Sequence, residues 1–370
     1  MEWTLTDDQE DLRRTVRRFL RDKAPLSASR KVLESDAGYD PSLWQQMAGL
    51  GLHSLTIPEE HGGAGCGQVE LGVVLQEFGR ALTPSAFFST VVLAVNALLL
   101  SDAVDAQAKW LPSLAAGELT ATVAIGVDGE DQRWGPAGNA VAVSGSTLLT
   151  GRVNAVLDGA TADLVLVVAE SEAGPSLFAV DSEAPGLRRT PLRTLDLVHR
   201  QARLEFADVP ATPIGLPGTA GDLLAKLFPL VAVAAANEQL GAAEQVLENS
   251  VEYARTRVQF GRPIGSFQAV KHKLAEMFLD IELAKSAVRV ATWTADHDPA
   301  ELAPNASIAK AYSAAAYWAA AVESIQVHGG IGFTWEHDAH LYYRHARSMS
   351  VQYGDGDLHR ELIMSALETA

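Results

Sequence analysis

Apolar positions at the start of the chain recur with helical spacing. Leu12, Val16, Phe19 and Leu20 share one face of a segment opened by Thr6 and Gln9, the pair that forms a capping box. The same period runs through PSLWQQMAGLGL (41–52) and the span 69–82, and VVLAVNALLL (91–100) is apolar enough to be a central helix. Between them, IPEEHGGAG (57–65) reads as a loop from its proline and paired glycines. Near Thr120 the texture changes to short β-branched or alternating runs, TATVAIGV, NAVAVSGSTLL, ADLVLVVAE, SLFAVD and RQARLEF, divided by Gly, Asp and Pro. The Pro/Gly-rich stretch PATPIGLPGTAG (210–221) closes this β region, and long helical stripes then return. Three long helices and a fourth after Asp357 predict a four-helix bundle. The expected fold is α+β and mostly α: a helical domain over 1–118, a β domain over 119–215 and a helical bundle over 216–370.

One junction departs from simple periodicity. In RTRVQFGRPIGSFQ (255–268), Pro263 cannot donate a backbone hydrogen bond and biases Arg262 away from the helical region. The upstream helix is therefore expected to stop near Gly261 and a second helix to start soon after. That makes the stretch a corner that holds Arg257 and Phe260 in place, and an arginine fixed at a helix corner is suited to meeting an anion.

Composition narrows the classes. The chain has 370 residues, 48% hydrophobic and 20% charged, enough for two or three domains with a substantial core. A net charge of -17 argues against a nucleic-acid partner, which needs a basic surface. A single cysteine, Cys66, excludes an intrachain disulfide and a cysteine-based metal cluster, and suits a reducing cytoplasm. The acidic start MEWTLTDDQEDLRRTVRRFL lacks the basic flank and apolar run of a signal peptide, so a cytoplasmic location is expected. The longest apolar run, LFPLVAVAAA (227–236), falls short of the ~20 residues of a membrane span and reads as a buried helix.

Three stretches together resemble signatures of the acyl-CoA dehydrogenase family: IPEEHGGAG, YARTRVQFGRPIGSFQAVKHKLAEM (253–277) and QVHGGIGFTWEHDAHLYYRHAR (326–347). They come in the family's order on the family's domain plan, and the resemblance covers nearly the whole chain. It implies α,β-dehydrogenation of an acyl-CoA thioester, in which a carboxylate takes the α proton and the β hydrogen leaves as hydride to FAD.

In that family the FAD lies across a dimer interface, so some motifs serve a subunit's own flavin and others its neighbour's. By resemblance, Arg257 matches the arginine on the neighbour's FAD pyrophosphate and Phe260 the aromatic that packs on the cofactor. Gln326, Gly329 and Gly330 match the loop that receives the same dinucleotide. Taken singly, each motif also fits a plain structural role, an arginine paired with a carboxylate or glycines that turn the chain.

The motifs for a subunit's own site are altered. AIGVDGEDQRWGP (124–136) replaces the family's Thr-Glu-Pro and Gly-Ser-Asp, and GRVNAVLDG (151–159) puts Ala155 and Leu157 where a tryptophan and a threonine face the flavin ring. The usual Tyr-Glu-Gly-Thr falls on Gln352, Tyr353, Gly354 and Asp355, so Tyr353 stands where the catalytic glutamate is expected. A phenol with a pKa near ~10 is a poor base at neutral pH. The alternative position for the glutamate holds Val231. Replacement bases are Asp355, two residues on, Glu238, two helical turns beyond Val231, and His328.

Three functions fit this pattern. The resemblance implies, first, the base-lacking subunit of a heteromeric acyl-CoA dehydrogenase, like actinobacterial two-plus-two tetramers that hold one FAD per mixed pair and act on CoA esters of bulky groups such as steroid side chains. The second is a self-sufficient homotetramer using Asp355 or Glu238 as base. The third is a flavin-free scaffold that keeps the fold for interaction alone.

Overall fold

The computed structural model describes residues 4–33, 35, 38–126, 141–144 and 147–369. Most of AIGVDGEDQRWGP, from residue 127 on, lies outside the described residues. The first third is helical. Helix α1 (Asp7–Lys23) starts at the Thr6–Gln9 capping box, and α2 (Leu26–Leu33), α3 (Pro41–Gly49) and α4 (Gln68–Ala81) follow. The apolar ladder is a π-helix over Phe88–Val95 that runs into α5 (Asn96–Leu100), and α6 (Val104–Ala115) completes the block. Every residue of the π-helix is buried. Its side chains are apolar or small hydroxyls, and the two hydroxyls next to Phe88 are hydrogen-bonded, Ser89 to Asp158 and Thr90 to the Ala121 carbonyl.

The β region comprises β1 (Ala121–Ala124), β2 (Ala142–Ser144), β3 (Leu148–Leu157), β4 (Leu164–Ser171), β5 (Gly174–Asp181), β6 (Leu187–Pro191), β7 (Gln201–Pro210) and β8 (Thr212–Ile214). They form one sheet in the order β6-β7-β3-β2-β4-β5-β8, with β1 parallel to β4. Against β7, strand β3 shifts register between Val153 and Val156, and Ala155 inside that irregularity has φ of 58°. A bulge of this kind re-aims side chains locally.

The C-terminal part packs α7 (Ala220–Thr256), α8 (Gln268–His297), α9 (Leu302–His328) and α11 (Gly356–Thr369), with α10 (Ala339–Met349) against α9 and α7. Helix α7 contains an 18-residue window long and apolar enough to cross a membrane, but 61% of that window is buried inside the fold. It is the central helix, packed on α4 as well as on the bundle. The α4–α7 crossing rests on two glycines. A Cβ on Gly241 would lie 1.9 Å from the Gln76 carbonyl oxygen, and one on Gly79 would lie 2.0 Å from that of Glu238. Backbone meets backbone there, which only glycine allows.

Candidate functional site

The corner after α7 differs from its expected form. The helix ends at Thr256, five residues before Gly261, and Arg257 turns to extended backbone. Val258–Gln259 (β9) and Arg262–Pro263 (β10) then pair as a small antiparallel hairpin. Phe260 and Gly261 form its tip with φ of 52° and 77°, both left-handed, as a two-residue primed turn requires. The difference has a local cause: the Arg257 carbonyl, which a continuing helix would use internally, accepts instead from the Ile264 N–H at 2.8 Å. The tip holds Phe260 out, 91% exposed, with its ring edge-on to Phe267 at 6.1 Å, and the Arg262 guanidinium lies 4.1 Å from the centre of the Phe267 ring.

Phe260 and Gln326, 66 residues apart in sequence, line one open cavity of about 320 Å³ together with Phe267, Ile264, Lys273 and Val327. Gly329 and Gly330 follow at the end of α9, exposed, with open space where a Cβ would project. Arg257 is exposed on the same hairpin, outside the cavity lining. His328 is turned inward. Its Nδ1 donates to the Ser324 carbonyl at 2.8 Å, its ring packs on Tyr253 and His337, and burial lowers its pKa, so it is a satisfied neutral imidazole.

The other half of the expected chemistry lies between the β region and the end of α10. A cavity of about 270 Å³ is lined there by Leu93, Val123, Ala155, Leu157, Gln352 and Tyr353, among others. Tyr353 is the wall. It has φ of 61°, is 8% exposed, and stacks on Phe88 with centroids 5.2 Å apart and planes 13° from parallel. The Gln352 amide donates to its hydroxyl oxygen at 3.1 Å. Burial pushes the phenol well above its ordinary pKa, with the charges of Glu238, Asp158 and Asp196 acting in the same direction. It is not a base at neutral pH.

The remaining candidates are not among the residues that line this cavity. Val231 is fully buried core. Asp355 caps α11, its Oδ1 accepting from the Asp357 and Leu358 N–H groups at 3.0 and 2.9 Å. Glu238 is buried, and its Oε1 lies 3.1 Å from Nε2 of His199 and 3.8 Å from Nε2 of His345. Burial works against a charged His199, but the charge and hydrogen bond of Glu238, aided by Asp196 and Asp158, carry its pKa up to about 9. His345 Nδ1 lies 2.9 Å from Asp196 Oδ2. Sequence reasoning does not single out His199, His345 or Asp196. His345 sits inside the third family-like signature, but nothing in the spacing of the other two marks them.

The comparisons agree with the architecture. The N-terminal domain model of acyl-CoA dehydrogenases matches residues 6–118 and the C-terminal domain model matches residues 225–368. The acyl-CoA dehydrogenase IpdE2 of Mycobacterium tuberculosis is 36% identical over 93% of this chain and 92% of its own length. The ChsE4-ChsE5 complex from Mycobacterium tuberculosis matches with TM-score 0.90 and 31% identity, covering 100% of both chains. A variant of the Tcur3481-Tcur3483 steroid acyl-CoA dehydrogenase matches with TM-score 0.88 and 29% identity over 99% of each chain. Family models covering more than half the chain, a relative of this identity over nearly its full length and the shared three-part fold lead to one conclusion: the chain belongs to the acyl-CoA dehydrogenase family.

Proposed function

We propose that this chain is the subunit without a catalytic base in a heteromeric acyl-CoA dehydrogenase, and that it completes the FAD site of an unlike partner. The observation that carries the reading is Tyr353. At the position of the family's glutamate stands a buried phenol, packed on Phe88 and hydrogen-bonded by Gln352, with no carboxylate among the described residues that line the adjacent cavity. Ala155 and Leu157, which line the same cavity, offer neither a stacking ring nor a hydroxyl.

The outward face fits a flavin dinucleotide better. Phe260 is exposed beside Gln326, two open glycines follow at the end of α9, and Arg257 stands on the same hairpin as a cation for a pyrophosphate. In the complex, FAD supplies hydride acceptance, while this chain's residues bind and orient the dinucleotide and the partner supplies the base. The similarity to ChsE4-ChsE5, a complex of two named components, and to a steroid acyl-CoA dehydrogenase supports an unlike partner and a bulky acyl group on the CoA thioester.

The test is the visible spectrum and native mass of the chain, purified alone and after co-expression with an unlike acyl-CoA dehydrogenase-like partner from the same genome. A colourless or unstable lone chain and about one FAD per mixed pair are expected. A yellow homotetramer that bleaches on addition of an acyl-CoA overturns the reading and puts Asp355 and Glu238 first among bases to change.

A further inference from the structure

Behind the Phe88–Tyr353 stack lies a closed cluster of ionisable groups for which the proposed reaction has no use. It joins three parts of the molecule. Asp196 and His199 come from the segment between β6 and β7, Glu238 from the middle of α7 and His345 from α10. All four are buried, at 1%, 5%, 4% and 0% exposed. Asp196, His199 and His345 each bring a ligand atom to within 4.8 Å of the others.

The hydrogen bonding is incomplete. His345 Nε2, Glu238 Oε2 and His199 Nδ1 are buried without a hydrogen-bond partner among the described residues. Unpaired buried polar atoms carry a desolvation penalty, so His345 Nε2 and Glu238 Oε2, bare within one cluster, point to a missing component.

We infer that His199 Nε2, His345 Nε2 and the Glu238 carboxylate bind a divalent transition-metal ion, zinc by its donor set, in the closed interior of the fold. Two of the three ligand-to-ligand distances suit it. Tetrahedral zinc with bonds of about 2.0–2.2 Å sets its ligand atoms roughly 3.3 Å apart. Glu238 Oε1 lies 3.1 and 3.8 Å from the two Nε2 atoms, and Oε2 is available as a further donor. Asp196 takes the outer position. Its Oδ2 accepts from His345 Nδ1 at 2.9 Å, which leaves Nε2 as the coordinating nitrogen, and its Oδ1 is held by the Val198 N–H at 2.8 Å. Two neutral imidazoles, the Glu238 and Asp196 carboxylates and one divalent cation sum to zero charge, which a dry interior tolerates. The ion ties the β region to α7 and α10 directly behind the wall formed by Tyr353.

The experiment is metal analysis of the complex as it exists. The chain is co-expressed with its partner in zinc-supplemented medium, purified without chelator or polyhistidine tag, and measured by inductively coupled plasma mass spectrometry. About one zinc per copy of this chain is expected, with X-ray absorption showing nitrogen and oxygen neighbours at about 2.0–2.1 Å and no sulfur. Glu238→Gln and His345→Gln should each lower the zinc content at least tenfold. Wild-type complex with less than about a tenth of a metal ion per copy overturns the proposal, and the cluster is then two buried histidine–carboxylate pairs. That measurement decides even if both variants fail to fold. Zinc retained in full by a folded Glu238→Gln variant overturns it as well.

Discussion

The two ends of the proposed site are built in opposite ways. The hairpin tip and the glycines that follow α9 are exposed and conformationally demanding, with Phe260 in left-handed backbone and held out in solvent. The cavity at Tyr353 is walled by stacked rings and backed by a buried polar cluster. Backbone strain at an exposed aromatic residue points to a use beyond the chain's own packing. Packed rings and hydrogen-bonded buried groups serve the fold itself. On the proposed function, the contrast teaches that the two halves of a shared active site can differ within one chain: the face offered to a neighbour stays open, while the inner site is packed as core.

If that contrast is right, substitutions on the closed side change stability and those on the open side change flavin binding in the mixed complex. The largest effect is expected at Gly241. Alanine there would put its Cβ 1.9 Å from the Gln76 carbonyl oxygen, so α4 and α7 must separate. Destabilisation of more than about 3 kcal/mol is expected in chemical denaturation, with normal FAD content in the fraction that stays folded. Next is Arg257→Ala. Loss of a charge-assisted contact of about 1.5–3 kcal/mol should weaken FAD binding about 10- to 100-fold, measured by flavin release on dilution. The stability of the chain should change by less than about 0.5 kcal/mol, because Arg257 is exposed. A flavin loss at Gly241→Ala with none at Arg257→Ala would reverse the comparison.

The fold was legible because its signals are local and redundant. The Thr6 capping box, the apolar ladder at 91–100 and the alternating runs after Thr120 each fix an element without reference to the rest. The corner at 255–268 was legible only in part. Pro263 announces that the helix has ended, but where it ends depends on the pairing of Val258 and Gln259 with Arg262 and Pro263, a tertiary choice that helical periodicity does not encode. Resemblance singles out Tyr353, yet its stack on Phe88 joins residues 265 positions apart in sequence. The buried cluster is the least visible. Glu238 stands out only as a possible base, and its partners come from a loop and from another helix, so no spacing relates them.

A smaller effect sharpens the closed side through pH. Lys310 is fully buried, with its Nζ donating to the Met349 and Gly354 carbonyls at 3.0 and 3.3 Å, and so anchors the loop that carries Tyr353. Burial lowers its pKa from 10.5 to about 7, against the opposing pull of Asp355. His359, the other titratable group facing it, is brought down to about 4, chiefly by burial and then by Lys310. Between pH 7 and 10.5 the unfolded chain therefore binds the lysine proton that the folded chain lacks, and stability rises with pH at about 1.4 kcal/mol per unit. Lys310→Met removes this limb. The wild-type minus variant difference in unfolding free energy should grow with that slope above pH 7 and stay flat over the unit below it. A difference independent of pH from about 7 to about 10 would mean that the lysine stays charged and the loop is more open to solvent than its packing indicates.

The smallest expected effect is at Phe260, where the two sides can be weighed in one residue. Replacing it with glycine relieves a left-handed conformation that costs a β-carbon residue about 1–2 kcal/mol, but adds freedom to the unfolded chain worth roughly 0.4–1 kcal/mol. The opposing terms leave the chain between unchanged and about 1.6 kcal/mol more stable than wild type. The ring is 91% exposed, so little packing is lost with it. A residue kept only for the hairpin would then be replaceable without consequence. If Phe260 instead packs on a neighbour's cofactor, Phe260→Gly lowers FAD affinity of the mixed complex about 3- to 10-fold, and Phe260→Tyr, which keeps a ring at the tip, restores most of it. Equal affinity in all three would remove the tip from the flavin site and leave Arg257 and the loop after α9 to carry the open face alone.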